Sequence, residues 1–349
     1  MEHKRKVYLE MIRIIAIFLV IFNHVEGVTL YQTSVGLKTW GYMFISMLTS
    51  INVPLFFMVS GTLLLGKIDN FKTVIQKRAV RYLAVIFIFS SSYCLLRSLV
   101  REDYEITLIK YIYKVFTGNY DYLAPYWFLY AYLGLLFTLP FMQRMVKGFT
   151  KQDFFILVTL HFIFSSLFPM ANIFITKFAE KSLYLSSSFS VPLATETAFF
   201  YPLIGYYLDN FIDVQKLNRK KIISLVVFAI SIIFVTSCFS YYGGLSIGIF
   251  DYAIAMIAFI LIKYLFIVKF PKLSNGRIAS IISLIGSLTF GIYLLDPFLK
   301  TCFYFKYVAM TEPYLPTLLV SFSWCIISMV SCGGITYLLK KLPLFSNLL

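Results

Sequence analysis

Long apolar runs alternate with short polar connections along the whole chain. The runs fall at about 9–28, 41–65, 82–99, 126–143, 154–171, 196–213, 222–239, 247–268, 279–300 and 315–338. A helix needs about 20 apolar residues to cross a hydrocarbon core of about 30 Å, and the runs are long enough. The pattern predicts an all-α fold, a polytopic integral membrane bundle of about ten transmembrane helices. The sixth run is the most polar, with Glu196, Pro202 and Asp209, yet its centre at 199–208 is apolar enough to span. Composition agrees, at 60% hydrophobic and 13% charged residues. One membrane-embedded domain over 1–349 is expected, with no soluble catalytic domain. The chain has no phosphate-binding glycine loop, no zinc-protease His-Glu motif and no serine nucleophile elbow. It shows no period of 20 to 50 residues and no inverted pair of broken helices, which argues against transport.

Charge then fixes a sidedness. Counted over alternating connections, 21 of the 31 Lys and Arg residues fall on the side of both termini, and nine on the other. Positive charge accumulates on the cytoplasmic side, so a multi-pass protein of the cell membrane with both termini cytoplasmic is expected. The same asymmetry, with contact to anionic lipid, accounts for the net charge of +15 and leaves no case for nucleic acid. Lys4, Arg5 and Lys6 before an apolar run resemble a secretion signal. The run is too long and no small-x-small cleavage site follows, so a retained first helix is expected. The longest outer connection, roughly 100–125, contains an amphipathic stretch at 106–116 suited to lie on lipid or to cover the mouth of a cavity. Cys94, Cys238, Cys302, Cys325 and Cys332 lack metal-site or disulfide spacing and read as packing residues; no metal is expected.

Against this apolar background the polar exceptions carry the chemistry. Arg13 and His24 lie eleven residues apart in the first run. Eleven helical positions turn through about 1100° and rise about 16 Å, so both side chains leave one face at different depths. Glu10 shares that face and is spaced to pair with Arg13. Such groups at membrane depth mark ligand or proton pathways. In the second run Pro54 and Gly61 loosen or kink the helix, and Ser60 can bond a carbonyl or a neighbouring helix. Arg78 and Arg81 follow on the cytoplasmic side, two guanidinium groups with the fork geometry that suits phosphate oxygens. Trp127 stands in the aromatic opening of the fourth helix. Asp296, Asp251 and Glu196 all fall near outer helix ends, and His24 falls in the outer half of its own helix; a carboxylate beside the imidazole would hold its tautomer, but spacing does not select which one. His161, alone within the fifth run, reads as a packing residue.

These residues together resemble acyltransferase family 3, whose members O-acylate bacterial surface polysaccharides and related acceptors. Arg13 and His24 match its first-helix arginine and histidine with ten residues between, and Glu10 stands where an acidic residue often does. FFMVSG at 56–61 is similar to its Phe-Phe-x-x-Ser-Gly stretch, Arg78 and Arg81 to its Arg-x-x-Arg, YWFLY at 126–130 to its Trp-Phe-Leu segment, and FYPLIGYYL at 200–208 to its Gly-Tyr-Tyr-Leu. One departure stands out: the late Tyr-Leu-x-His-Pro pattern has Asp296 in the histidine position, which removes a second histidine from the expected set.

The resemblance covers nearly the whole chain and implies a membrane acyltransferase with no permanently bound cofactor. Acyl-coenzyme A, acetyl-coenzyme A first, would be co-substrate. A surface polysaccharide or lipid-linked glycan would be acceptor, with the bilayer and glycan-synthesis machinery as partners. It implies His24 as general base or transient acyl carrier. Arg13, with Glu10, would bind an anionic part of the donor or steady the thioester oxyanion. Arg78 and Arg81 would grip coenzyme A phosphates, with Ser60, Trp127 and Asp296 in substrate positioning. The rival reading from the residues is an exporter or flippase of a glycan or small acid with His24 as a proton relay, which needs no donor grip on the cytoplasmic face. A non-catalytic partner in a glycan-synthesis complex is the third, and predicts that His24 is dispensable.

Overall fold

A computed structural model of the chain describes residues 6–25, 37–100, 109, 112, 113, 115, 124–179, 182, 190–243, 247–346 and 348. Among these residues every regular element is helical. The main helices are α1 (Val7–His24), α2 (Leu37–Ser50), α3 (Asn52–Leu64), α4 (Phe71–Val100), α5 (Trp127–Gly148), α6 (Lys151–Ala179), α7 (Thr197–Asn210), α8 (Arg219–Gly243), α9 (Gly248–Lys269), α10 (Gly276–Thr311) and α11 (Thr317–Leu339). Among the described residues eight helical spans are long and apolar enough to cross a membrane, α2 and α3 together forming the span Met43–Leu64. The protein is therefore a multi-pass membrane protein, and about ten was an approximate count. The remaining two runs are helical, as α5 and α7. The 14 residues of α7 extend only about 21 Å at 1.5 Å each, short of a core of about 30 Å. The amphipathic stretch at 106–116 lies mostly outside the described residues.

The helices gather in two compact units interleaved along the chain. One comprises Met1–Ala16, Val28–Ile68 and Phe141–Ser283; the other comprises Ile17–Gly27, Asp69–Pro140 and Leu284–Leu349. Helices α1, α5 and α10 each contribute residues to both.

In the first unit α3 and α7 meet backbone to backbone. A Cβ at Gly61 would collide with the main chain of Pro202, and one at Gly205 with the main chain of Met58. Two glycines thus let the helices approach more closely than any side chain permits, and Thr62 Oγ1 donates across the seam to Gly205 O at 3.0 Å. Phe57, Phe200, Leu203 and Ile204 are fully buried around that seam. The last carbonyls of the short α7 lack partners along the helix. Lys263, itself buried, fills that role: Nζ donates to Leu208 O, Asp209 O and Ile212 O at 3.0, 2.7 and 3.0 Å. The Asp209 carboxylate also accepts from Lys6 Nζ and Tyr8 OH, which ties the start of α1 to the end of α7. By contrast α8 turns Val227, Phe228, Ile230 and Phe234 outward, where lipid is the solvent for such side chains.

In the second unit the opening of α5 is fastened to α10. Tyr126 OH donates to Leu294 O at 2.9 Å, and Tyr293 OH donates to Pro125 O. The rings of Tyr93, Tyr126, Tyr293 and Phe298 stand edge to face around that joint. Pro297 lies within α10, and Lys300–Tyr304 form a π-helical turn just beyond it. Proline has no N–H to return to the preceding turn, and a π turn widens the helix locally, a distortion frequent at functional sites. Asp296 occupies the position immediately before this break.

Candidate functional site

The last turn of α1 lies in the second unit and ends at His24. Its terminal carbonyls are taken by α10 instead: Lys300 Nζ donates to His24 O, and Tyr304 OH donates to Val25 O at 2.7 Å. Carbonyls at a helix end have no partner along the helix and need one from elsewhere. These contacts therefore fix the height and rotation of the helix end that carries the imidazole.

The ring is held as firmly as the backbone. His24 Nδ1 lies 2.8 Å from Asp296 Oδ2. Asp296 is 1% exposed, and its other oxygen, Oδ1, accepts from Ser328 Oγ on α11 at 2.7 Å. An ionised carboxylate only accepts hydrogen bonds, so the tautomer that suits this contact carries its proton on Nδ1 and leaves the lone pair on Nε2. A nucleophile-activating base oriented by a third group is the recurring geometry of acyl transfer. Of the three carboxylates left open by the sequence, Asp296 is the one beside His24; Asp251 instead accepts from Tyr201 OH at 2.9 Å, and Glu196 is exposed.

The remaining residues of interest occupy their own settings. In the first unit Arg13 Nη1 lies 3.2 Å from Oε2 of the buried Glu10, the pairing their spacing predicts. Ser60 Oγ donates to Phe56 O at 2.9 Å within its own helix. In the second unit Arg78 lies in the π-helical turn Val74–Ala79 and pairs with Asp69 at 2.9 Å, whereas Arg81 donates through Nε and Nη2 to Leu348 O at 3.3 and 3.1 Å. The two arginines therefore have different partners. Trp127 starts α5, but it is its neighbour Tyr126 that reaches α10. His161 is a buried packing residue: its ring stacks on Phe200 at 3.8 Å, and Nδ1 bonds Ala194 O. Ser328, Lys300 and Tyr304 carried no signal in the sequence, because a serine among apolar residues or a lysine near a helix end is ordinary in a membrane helix.

Comparison with known proteins adds one finding to this geometry. No curated protein and no solved structure matches the chain significantly. The sequence model of the acyltransferase 3 family, described as an acyltransferase domain, matches residues 6–338 and so reaches into every main helix. An oriented histidine in a helical membrane protein thus coincides with a match over nearly the whole length, and the chain belongs to the acyltransferase 3 family of membrane O-acyltransferases.

Proposed function

We propose that this acyltransferase moves an acyl group, acetyl first among the candidates, from acyl-coenzyme A to a hydroxyl of a surface polysaccharide or lipid-linked glycan. The observation that carries the reading is the contact of His24 Nδ1 with the buried Asp296 carboxylate at 2.8 Å. Sugar hydroxyls are poor nucleophiles near neutral pH and need a positioned base. Nε2 of His24 takes the hydroxyl proton as the sugar oxygen bonds to the thioester carbonyl carbon. The carbon–sulfur bond then breaks, and the departing coenzyme A thiolate recovers that proton from Nε2. Asp296 holds the ring orientation throughout and faces the positive charge the ring carries between the two transfers.

In the first unit Arg13, held by Glu10, offers a cation for an anionic part of the donor. Arg78 and Arg81 exchange their present partners for coenzyme A phosphates. Both termini lie in the cytoplasm with the donor. The test is incubation of purified protein with radiolabelled acetyl-coenzyme A and isolated surface glycan. Alkali-labile label on the glycan is expected, and its absence under conditions where coenzyme A binds would overturn the acceptor assignment.

A further inference from the structure

Serine and threonine hydroxyls in these helices mostly donate to a carbonyl of the preceding turn. Ser60 bonds Phe56 O, Ser91 bonds Phe87 O, Thr236 bonds Ile232 O, Ser323 bonds Leu319 O and Thr336 bonds Cys332 O. This is the usual resting place of a hydroxyl proton in an apolar helix. Ser328 departs from that habit. It is fully buried on α11 and sends its proton across to Asp296 Oδ1 at 2.7 Å, while Asp296 Oδ2 faces His24 Nδ1 at 2.8 Å. Its oxygen also lies 3.8 Å from Cys332 Sγ, a weak partner.

We propose that Ser328 is a positioning residue for acyl transfer, acting through Asp296 to aim His24. The inference rests on the reading of His24 as the base. A carboxylate on a single side-chain bond is free to rotate, and with both oxygens engaged from opposite sides it has one orientation. A hydroxyl carries one proton, so the proton given to Oδ1 is unavailable to the helix backbone and the bond to Asp296 is made at the expense of the local one. Without the hydroxyl, Oδ1 is a buried acceptor with no donor at this position. The carboxyl group then turns or takes a proton, and in either case the ring of His24 loses its fixed tautomer and aim. A buried acceptor stripped of its donor is among the costlier local defects, and misplacement of a base is felt in the rate rather than in substrate binding.

The test is a double-mutant cycle on the full-length protein in detergent or vesicles, with acetyl-coenzyme A and isolated surface glycan as the assay pair. Ser328→Ala should lower kcat by about ten- to a hundredfold, the loss expected for one hydrogen bond to a charged group, with KM for acetyl-coenzyme A unchanged. Ser328→Thr, which keeps the hydroxyl, should restore most of the rate. In an Asp296→Asn background, Ser328→Ala should change kcat less than threefold, because a residue acting only through Asp296 has nothing left to position. An equal loss in both backgrounds, or a wild-type kcat for Ser328→Ala, overturns the proposal and leaves His24 as base untouched. Full activity of His24→Ala overturns the underlying reading instead. If Ser328→Ala does not fold, Ser328→Cys decides: it fills the same space with a weak donor, and wild-type kcat in that variant overturns the proposal.

Discussion

His24 and Asp296 stand 272 residues apart in the chain and 2.8 Å apart in the fold. At the scale of single residues, that contact separates what sequence alone reveals from what it hides. Arg13, Glu10 and His24 are legible because each is costly in an apolar run, and the ion pair between Glu10 and Arg13 follows from a three-residue spacing. The partner of His24 is not legible, since three carboxylates sit near helix ends and only packing chooses among them. Ser328 is less legible still, because its distinction lies in the direction of one proton. His24→Ala should insert and fold yet lose transfer by about a hundredfold to ten-thousandfold, the usual weight of a positioned acid or base. Normal glycan acylation by that variant in purified form would remove His24 from the chemistry. Arg13→Lys should also be impaired, because a compact ammonium does not reproduce the planar donor set of a guanidinium; full activity in the same assay would reduce the role of Arg13 to charge alone.

Among the elements, α3 and α7 show how two short motifs acquire a physical meaning. Gly61 and Gly205 each face the other helix's main chain, so the Ser-Gly and Gly-Tyr-Tyr-Leu patterns mark a seam as well as a resemblance. Gly205→Leu should abolish recovery of folded protein, because the new side chain meets the backbone of Met58, which has no means of yielding. Gly134, on α5, has open space where a Cβ would go, and Gly134→Ala should leave the thermal midpoint and elution profile in detergent unchanged. Lys263→Met should fold with a lower midpoint: it removes three hydrogen bonds from the end of α7, each of a class contributing about 1.5 to 3 kcal/mol. Hydropathy announced the existence of most helices, while the shortness of α7 and the π-helical turns at Val74–Ala79 and Lys300–Tyr304 escaped it. The end of α7 rests on the distant side chain of Lys263, and apolar periodicity carries no record of such a partner.

At the scale of the whole chain the sequence predicts a sidedness, with 21 of 31 basic residues on the side expected to be cytoplasmic. Within that face Arg78 and Arg81 are the pair whose role separates a coenzyme A enzyme from a merely anchored bundle. Their present partners are modest, an Asp69 carboxylate and the main-chain oxygen of Leu348. Arg81 is exposed, where such a contact contributes little; Arg78 is about one-third exposed, although the Nη1 that meets Asp69 is itself buried. A phosphate group brings more charge and more acceptor oxygens than either partner. Replacing either arginine with Gln should raise the KM for acetyl-coenzyme A by about tenfold or more, the loss of one charge-assisted contact, while the KM for glycan moves little. Added salt should weaken donor binding in the wild type more than in the double variant, because exposed phosphate pairs are screened within about 10 Å at 0.1 M. If both variants instead bind donor normally but expose their termini on the wrong side of the membrane, the two arginines serve only as topological anchors, and the donor site lies elsewhere on the cytoplasmic face.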